Sequence, residues 1–185
     1  MLVGCLPHDT LPAWEPILFR YTVNPEQKHP VLLVAEDNAD DLEMLQRAFD
    51  QLGFNHPVQY VRDGEQATAY LAGEGRFANR FEHPLPDLFL LDLKMPRKNG
   101  FEVLQWVGRQ PWLAKMRIIV LTTSEDVYEI NRAYALGAAS FLTKPLNFTE
   151  FRDTIDGTIR YWLEMNKTPL IERPVRPPIS NPYFE

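Results

Sequence analysis

Five residues of this chain have side chains suited to phosphate or divalent-metal chemistry, and they follow short apolar segments. Glu36 and Asp37 follow Val31–Ala35, Asp92 follows Leu88–Leu91, Thr122 follows Ile118–Leu121, and Lys144 follows Phe141–Thr143. Carboxylates bind divalent cations, whereas hydroxyl and ammonium groups contact phosphate oxygens. The pattern therefore predicts phosphoryl or metal chemistry if folding brings these residues together.

The apolar segments have the length and composition of buried strands. Each is a continuous apolar run, and helical patterns separate the runs, which is typical of parallel strands buried on both faces. In open α/β sheets the ligand site lies outside the carboxyl ends of the strands. We therefore expect residues as distant in sequence as Glu36 and Lys144 to share one pocket.

Strand and helix patterns alternate five times along the chain. The predicted strands are Val31–Ala35, Val58–Val61, Asp87–Asp92, Arg117–Thr122 and Ala139–Leu142. We expect Asn38 to cap the first helix, with Asp40 and Asp41 in its positive first turn, and Gly53 to end it. Ser124 is expected to cap the fourth helix. The pattern predicts five strands and five helices.

Composition indicates one folded domain with proline-rich ends. Of the 16 prolines, five lie in residues 1–30 and five in residues 166–185. We therefore predict an N-terminal extension over 1–30, a domain over 31–166 and a tail over 167–185.

The net charge of −6 and the scattered basic residues argue against a nucleic-acid partner. No apolar run approaches the roughly 18 residues of a membrane span. The single cysteine, Cys5, permits no internal disulfide, so we expect a cytoplasmic protein.

Four motifs resemble those of the response-regulator receiver domains of two-component signalling. They are Leu33–Asn38, Leu91–Pro96 with Asn99–Gly100, Val120–Thr123, and Gly137–Pro145. The resemblance runs from Val31 to about Pro169. It implies a flavodoxin-like, doubly wound α/β fold, with a five-stranded parallel sheet in the order 2-1-3-4-5 and five helices, as in chemotaxis receivers.

Asp92 is the expected phosphoacceptor of such a domain. A carboxylate can take up a phosphoryl group as an acyl phosphate when cations neutralise the charge on the phosphoryl oxygens. Crowded carboxylates at strand ends also repel one another unless a cation is present, and Mg²⁺ prefers oxygen ligands. We therefore predict Mg²⁺ bound by Glu36, Asp37 and Asp92, and the resemblance adds the backbone carbonyl of Lys94 to the metal shell.

The resemblance assigns further roles to Thr122, Phe141 and Lys144. Thr122 and Lys144 would bind the phosphoryl group, and Thr122 and Phe141 would form a switch in which the ring turns inward. A cis Lys144–Pro145 bond is also implied. Taken singly, Thr122 could be explained by the preference of threonine for strands, and Lys144 as a surface lysine after an edge strand. Those readings do not explain why the whole set recurs at strand ends.

Two segments resemble stand-alone receivers paired with bacterial phytochrome histidine kinases. They are the loop Gly73–Arg80 and the ending Tyr161–Pro169. The resemblance implies a sensor histidine kinase as the phosphoryl donor, and a protein target or onward phosphotransfer as the output. It implies self-catalysed phosphorylation and dephosphorylation rather than an enzyme with a diffusible substrate. The aromatic residues Tyr134, Tyr161 and Trp162 suggest a homodimer surface, or a face that the tail covers.

The main alternative is a Mg²⁺-dependent phosphohydrolase of the haloacid dehalogenase type, which also uses an aspartyl nucleophile. Such enzymes resemble one another in a second aspartate two residues after the nucleophile, where this chain has Lys94. A nucleotide-binding Rossmann domain would need a glycine-rich turn where this chain has Ala35–Asn38. A receiver that serves only as a scaffold would not need the complete set of acids, threonine and lysine.

Overall fold

A computed structural model describes residues 29–167, and five strands within this range form a central parallel sheet. Its strands are β1 (Leu32–Ala35), β2 (Val58–Val61), β3 (Leu88–Leu91), β4 (Ile118–Thr122) and β5 (Ser140–Thr143). The order β2-β1-β3-β4-β5 confirms the flavodoxin-like fold expected from the sequence. The predictions for Cys5, for nearly all of the N-terminal extension and for the proline-rich tail fall outside the described residues.

A helix follows each strand of the described chain. The helices are α1 (Ala39–Leu52), α2 (Gly64–Ala72), α3 (Gly100–Gly108), α4 (Val127–Ala135) and α5 (Phe148–Ile159). A π-helical segment, Arg160–Met165, continues α5, and short 3₁₀ turns occupy Gly75–Phe77 and Pro111–Leu113. Between residues 29 and 167, no helix is both long and apolar enough to cross a membrane.

The caps of α1 follow the sequence pattern, whereas the cap of α4 does not. The Asn38 side chain accepts hydrogen bonds from the first turn of α1, and Gly53 ends that helix with a φ of 62°. The prediction that Ser124 caps α4 is wrong, because Asp126 accepts the hydrogen bond from Tyr128 N at 2.8 Å. Ser124 Oγ instead accepts from Asp126 N at 3.3 Å and orders the turn before the helix.

The helices cover both faces of the sheet and create two hydrophobic cores. One face packs against α2, α3 and α4, and the other packs against α1 and α5. Alternate residues of β1 point to opposite faces, so Leu33 enters the first core and Val34 the second. This two-sided burial explains the continuous apolar runs and leaves the strand ends as the polar edge of the sheet.

Candidate functional site

The three predicted acidic ligands meet at the carboxyl edge of the sheet. Glu36 and Asp37 follow β1 and Asp92 follows β3, and these strands are paired in register with Ala35 opposite Leu91. One carboxylate oxygen from each acid lies within 4.8 Å of the others. Glu36 and Asp92 are buried, whereas Asp37 is exposed. The chain therefore places a partly open cluster of hard oxygen ligands at this edge.

Lys144 reaches the same pocket from the end of β5. Its Nζ atom lies 2.5 Å from Glu36 Oε2, 2.6 Å from Asp41 Oδ2 and 3.6 Å from Asp92 Oδ1. The ammonium group thus contacts two acids and lies just beyond hydrogen-bonding distance of the third. The described chain contains no cis peptide bond, so the prediction of a cis Lys144–Pro145 bond is wrong. A trans bond already brings the lysine into the pocket.

The pocket holds more negative than positive charge. Burial raises the pKa of Glu36 to about 7, and the nearby Asp92 charge adds to this, although contact with Lys144 opposes it. Burial also disfavours the charged form of Lys144. Together, the negative charges of Asp92 and Glu36 have the larger effect and raise the pKa of Lys144 above its ordinary value. One ammonium group does not neutralise the carboxylates around it when Asp37 and Asp41 are counted. A divalent cation fits this imbalance.

Thr122 supplies an unpaired hydroxyl group at the end of β4. Its side chain is fully buried, and within the described structure its Oγ1 atom has no hydrogen-bond partner. A buried hydroxyl without a partner is costly, and it is a ready donor to an incoming oxygen ligand. Phe141 lies two residues before Thr143, the partner of Thr122 in the β4–β5 register. Phe141 is half-buried against the first core, and its backbone N–H donates to Tyr134 Oη at 3.2 Å.

The turn after Asp92 orients the carboxylate. The backbone N–H of Lys94 donates to Asp92 Oδ2 at 3.0 Å, and the Lys94 side chain is exposed. Gly100 packs closely behind this turn, because an added Cβ would lie 2.5 Å from the Asp92 carbonyl oxygen. Only glycine permits this approach without displacement of the backbone. The sequence pattern did not reveal this requirement.

A second set of contacts fixes the same turn to α2 and was also missed by sequence reasoning. The buried Asp63 caps α2 and forms an ion pair with Arg97, whose φ of 64° is left-handed. Burial favours a neutral carboxyl, but hydrogen bonds from Arg97 and Gln66 hold the pKa of Asp63 below its usual value. Lys98 Nζ also donates to Thr68 Oγ1 at 3.1 Å.

Asp41 is another pocket residue whose role the sequence analysis did not assign. Its position gives a signal in retrospect, since it precedes the buried Leu45 by four residues and the buried Ala48 by seven. Those spacings place Asp41 on the inward face of α1. The helix dipole, by contrast, favours an acid at either Asp40 or Asp41 and does not distinguish the two residues.

A family model described as the response regulator receiver domain matches residues 32–156, which is more than half of the chain. The chain belongs to this family. The receiver match spans every strand and most of α5, and it includes each residue of the acidic pocket. The protein is therefore a receiver-domain response regulator of two-component signalling, as the sequence motifs indicated.

Several relatives match about three quarters of the chain. The probable methanogenesis regulatory protein FilR2 of Methanothrix harundinacea is 37% identical over 142 residues, which are 75% of this chain and 87% of FilR2. Response regulator Rcp1 of Synechocystis is 34% identical over 134 residues, covering 72% of this chain and 89% of Rcp1. A structure of the Mn²⁺-bound form of Rcp1 has a TM-score of 0.69 at 33% identity, over 76% of this chain and 99% of that one.

A third similar protein is a phosphorylated response regulator. The crystal structure of the phosphorylated cyanobacterial phytochrome response regulator RcpA has a TM-score of 0.71 at 35% identity. The match covers 77% of this chain and 99% of RcpA. These similarities confirm the prediction that the chain resembles phytochrome-associated response regulators.

Proposed function

We propose that this receiver accepts a phosphoryl group on Asp92 from a sensor histidine kinase and signals through the resulting change in conformation. The output would be a protein target or onward phosphotransfer. The observation that carries the proposal is that three kinds of chemical group lie at the same edge of the sheet. Asp92 lies with two further acids, Lys144 Nζ is 3.6 Å from its Oδ1 atom, and the buried Thr122 hydroxyl is unpaired.

Mg²⁺ is the proposed metal partner of this reaction. Glu36, Asp37 and Asp92 would hold it, with the backbone carbonyl of Lys94 completing the protein ligands. The hard oxygen donors and the excess negative charge support this choice. The Mn²⁺-bound form of Rcp1 indicates that a similar receiver takes a divalent cation. When bound, the metal would neutralise charge on the phosphoryl oxygens.

The chain's own residues would divide the chemistry between them. Lys94 N–H holds Asp92 Oδ2, so Oδ1 is the oxygen that faces Lys144 and attacks phosphorus. The P–O bond to Asp92 forms as the P–N bond of the kinase phosphohistidine breaks, and the departing imidazole takes a proton from solvent. Lys144 then neutralises one phosphoryl oxygen, and Thr122 donates its hydroxyl hydrogen to another.

Coupling to the rest of the molecule would begin at Thr122. Movement of Thr122 toward the phosphoryl group vacates space near β5, and Phe141 would turn inward to fill it. The Phe141 backbone already contacts Tyr134 on α4, which offers a route from the pocket to the surface. Such a route changes output only if a partner binds the two conformations with different affinity.

The input partner we propose is a histidine kinase of the phytochrome type. Similarity to RcpA, described as a phytochrome response regulator, supports it. We further propose that residues 31–166 form the receiver domain, with the extension and tail outside it. The family match over residues 32–156 is compatible with these limits.

Phosphorylation of Asp92 is directly testable. Incubation with acetyl phosphate and Mg²⁺, followed by borohydride trapping and peptide mapping, should label Asp92 with at most one phosphoryl group per chain. Asp92→Ala should abolish labelling, whereas Asp40→Ala, at an exposed first-turn position, should retain it. Labelling should also fail when a chelator removes Mg²⁺. Undiminished label in Asp92→Ala would contradict the assignment, and hydrolysis of a phosphate monoester such as p-nitrophenyl phosphate would favour the phosphohydrolase alternative.

A further inference from the structure

The Lys144 ammonium group is closer to α1 than to the proposed phosphoacceptor. It has three N–H groups, and two of them point to Glu36 and Asp41 at 2.5 and 2.6 Å. Asp92 Oδ1 lies 3.6 Å away, beyond a normal hydrogen bond. In the resting pocket Lys144 therefore makes its two short contacts with Glu36 and Asp41, and its contact with Asp92 is the longest of the three.

We propose that Asp41 is a positioning residue that holds Lys144 in a resting place away from Asp92. Phosphorylation would then draw the lysine off Asp41, and the strength of the Asp41 contact would set part of the free-energy cost of phosphoryl binding. This inference rests on the proposed function. It assigns Asp41 no contact with the metal or with the phosphoryl group.

The local structure makes Asp41 a fixed anchor. Asn38 Oδ1 accepts a hydrogen bond from the Asp41 backbone N–H at 3.2 Å, so the first turn of α1 is held in place. The Asp41 side chain is only 27% exposed and that of Lys144 only 7%, which shields the ion pair from water. Glu36 cannot serve the same purpose alone, because we assign it to the metal shell and Mg²⁺ would compete for its carboxylate.

Asp40 provides a matched control within the same helical turn. It carries the same charge at the neighbouring position, and its side chain is exposed. Among the described residues, the ion pairs of Lys144 are with Glu36, Asp41 and Asp92, and Asp40 takes no part. Removal of either charge changes the net charge equally, so a difference between the two variants isolates the Lys144 contact.

The experiment measures binding of beryllofluoride, a phosphoryl analogue, to the full chain at saturating Mg²⁺ by isothermal titration calorimetry. Asp41→Asn should bind it roughly three- to tenfold more tightly than wild type, the range of a partly buried ion pair. Asp40→Asn should remain within about twofold. Thermal unfolding of each variant verifies that it is folded, and Asp41→Ala gives a second variant with the same expected direction.

A double-mutant cycle then tests whether the effect passes through the lysine. In a Lys144→Ala background, Asp41→Asn should change beryllofluoride affinity by less than about twofold. An equal effect of Asp41→Asn and Asp40→Asn, or an undiminished effect without Lys144, would overturn the positioning role. If wild type itself neither binds beryllofluoride nor labels on Asp92, the proposed function fails as well. Normal wild-type behaviour with an unresponsive Asp41→Asn rejects the positioning role alone.

Discussion

The acids of the pocket differ in burial, and this difference determines which of them responds to pH. Glu36 is 2% exposed, contacts Lys144 and faces the charge of Asp92. Its carboxylate loses hydration on folding, and the single lysine does not fully compensate for that loss. The residue is therefore sensitive both to protons and to any metal ion that replaces the missing hydration.

The free energy of unfolding of the metal-free protein should depend on Glu36. Because folding raises its pKa from 4.5 to about 7, the native state binds more protons than the unfolded state between these values. Stability therefore falls as pH rises through this window, on the order of 1–3 kcal/mol in total. Urea unfolding in a chelator at about pH 5 and pH 8 measures this difference.

Glu36→Gln should reduce that pH dependence, while Glu43→Gln on the exposed face of α1 should retain it. Added Mg²⁺ should also reduce it in wild type, because the metal stabilises the ionised carboxylate. An identical pH slope in Glu36→Gln and wild type would show that burial of this group does not control it.

Thr122 should be dispensable for stability and necessary for the response to phosphorylation. Thr122→Val keeps the shape and removes a buried hydroxyl that has no partner in the described structure, so stability should stay equal or rise by about 1 kcal/mol. Beryllofluoride should bind the variant more weakly and produce smaller NMR shifts at Phe141. Urea unfolding and NMR titration measure the two effects, and a fully wild-type NMR response would argue against the switch.

At the scale of elements, the turn between β3 and α3 joins the site to the scaffold. Gly100 N donates to the Leu93 carbonyl at 3.0 Å, and Arg97 pairs with Asp63 at the start of α2. A cap, an ion pair and a close backbone approach therefore hold the residues that follow Asp92. Several contacts of this kind restrict movement of the carboxylate more than any one of them alone.

Gly100→Ala should disturb both stability and labelling. The new Cβ would lie 2.5 Å from the Asp92 carbonyl oxygen and 2.8 Å from Leu93 Cα, so backbone must shift at a cost of about 1–3 kcal/mol. Gly108→Ala in the same helix is the matched control, because its Cβ would meet nothing within 4 Å. Urea unfolding and the acetyl phosphate labelling rate should both be impaired in Gly100→Ala and not in Gly108→Ala. Equal behaviour of the two variants would refute the packing argument.

The sequence predicted elements well and contacts between distant elements poorly. Continuous apolar runs identified β1, β3 and β4 because both faces of these strands are buried. The cap of α4 was misassigned because Ser124 and Asp126 are both good capping residues and sequence alone does not rank them. The Arg97–Asp63 pair joins residues 34 apart, and no local pattern encodes it.

The contacts within the site were likewise predictable only in part. The chemical types at strand ends predicted the convergence of Asp92 and Lys144 because topology fixes where parallel strands end. The contact of Lys144 with Asp41 depends on the phase of α1 and the path of a long side chain, which spacing does not specify.

At the scale of the whole molecule, exposed aromatic residues lie on α4 and on the π-helical segment that continues α5. Tyr134 is 49% exposed and Tyr161 is 52% exposed. Trp162 instead packs partly against the second core, so it offers less surface than the sequence analysis supposed. Tyr134 also accepts the hydrogen bond from Phe141 N–H, which connects α4 to the proposed switch.

We expect this surface to support a homodimer that phosphorylation strengthens. Sedimentation at several protein concentrations, with and without beryllofluoride and Mg²⁺, should show more dimer in the activated state. A strict monomer under all conditions would refute the prediction. If truncation after Asn166 is what produces a dimer, the tail covers the face instead.

The separation of Glu36 and Lys144 by 108 positions in the sequence has a consequence for protein synthesis. The first strand of the sheet leaves the ribosome long before the lysine has been translated. The contact between the two residues cannot form until the whole segment that separates them has been synthesised, and its closure then costs chain entropy. A nascent chain that ends before Lys144 would therefore lack the ammonium group of the proposed phosphoryl site. A phosphoryl group on such a truncated product would find no Lys144 contact, so the product could not pass on the proposed conformational signal.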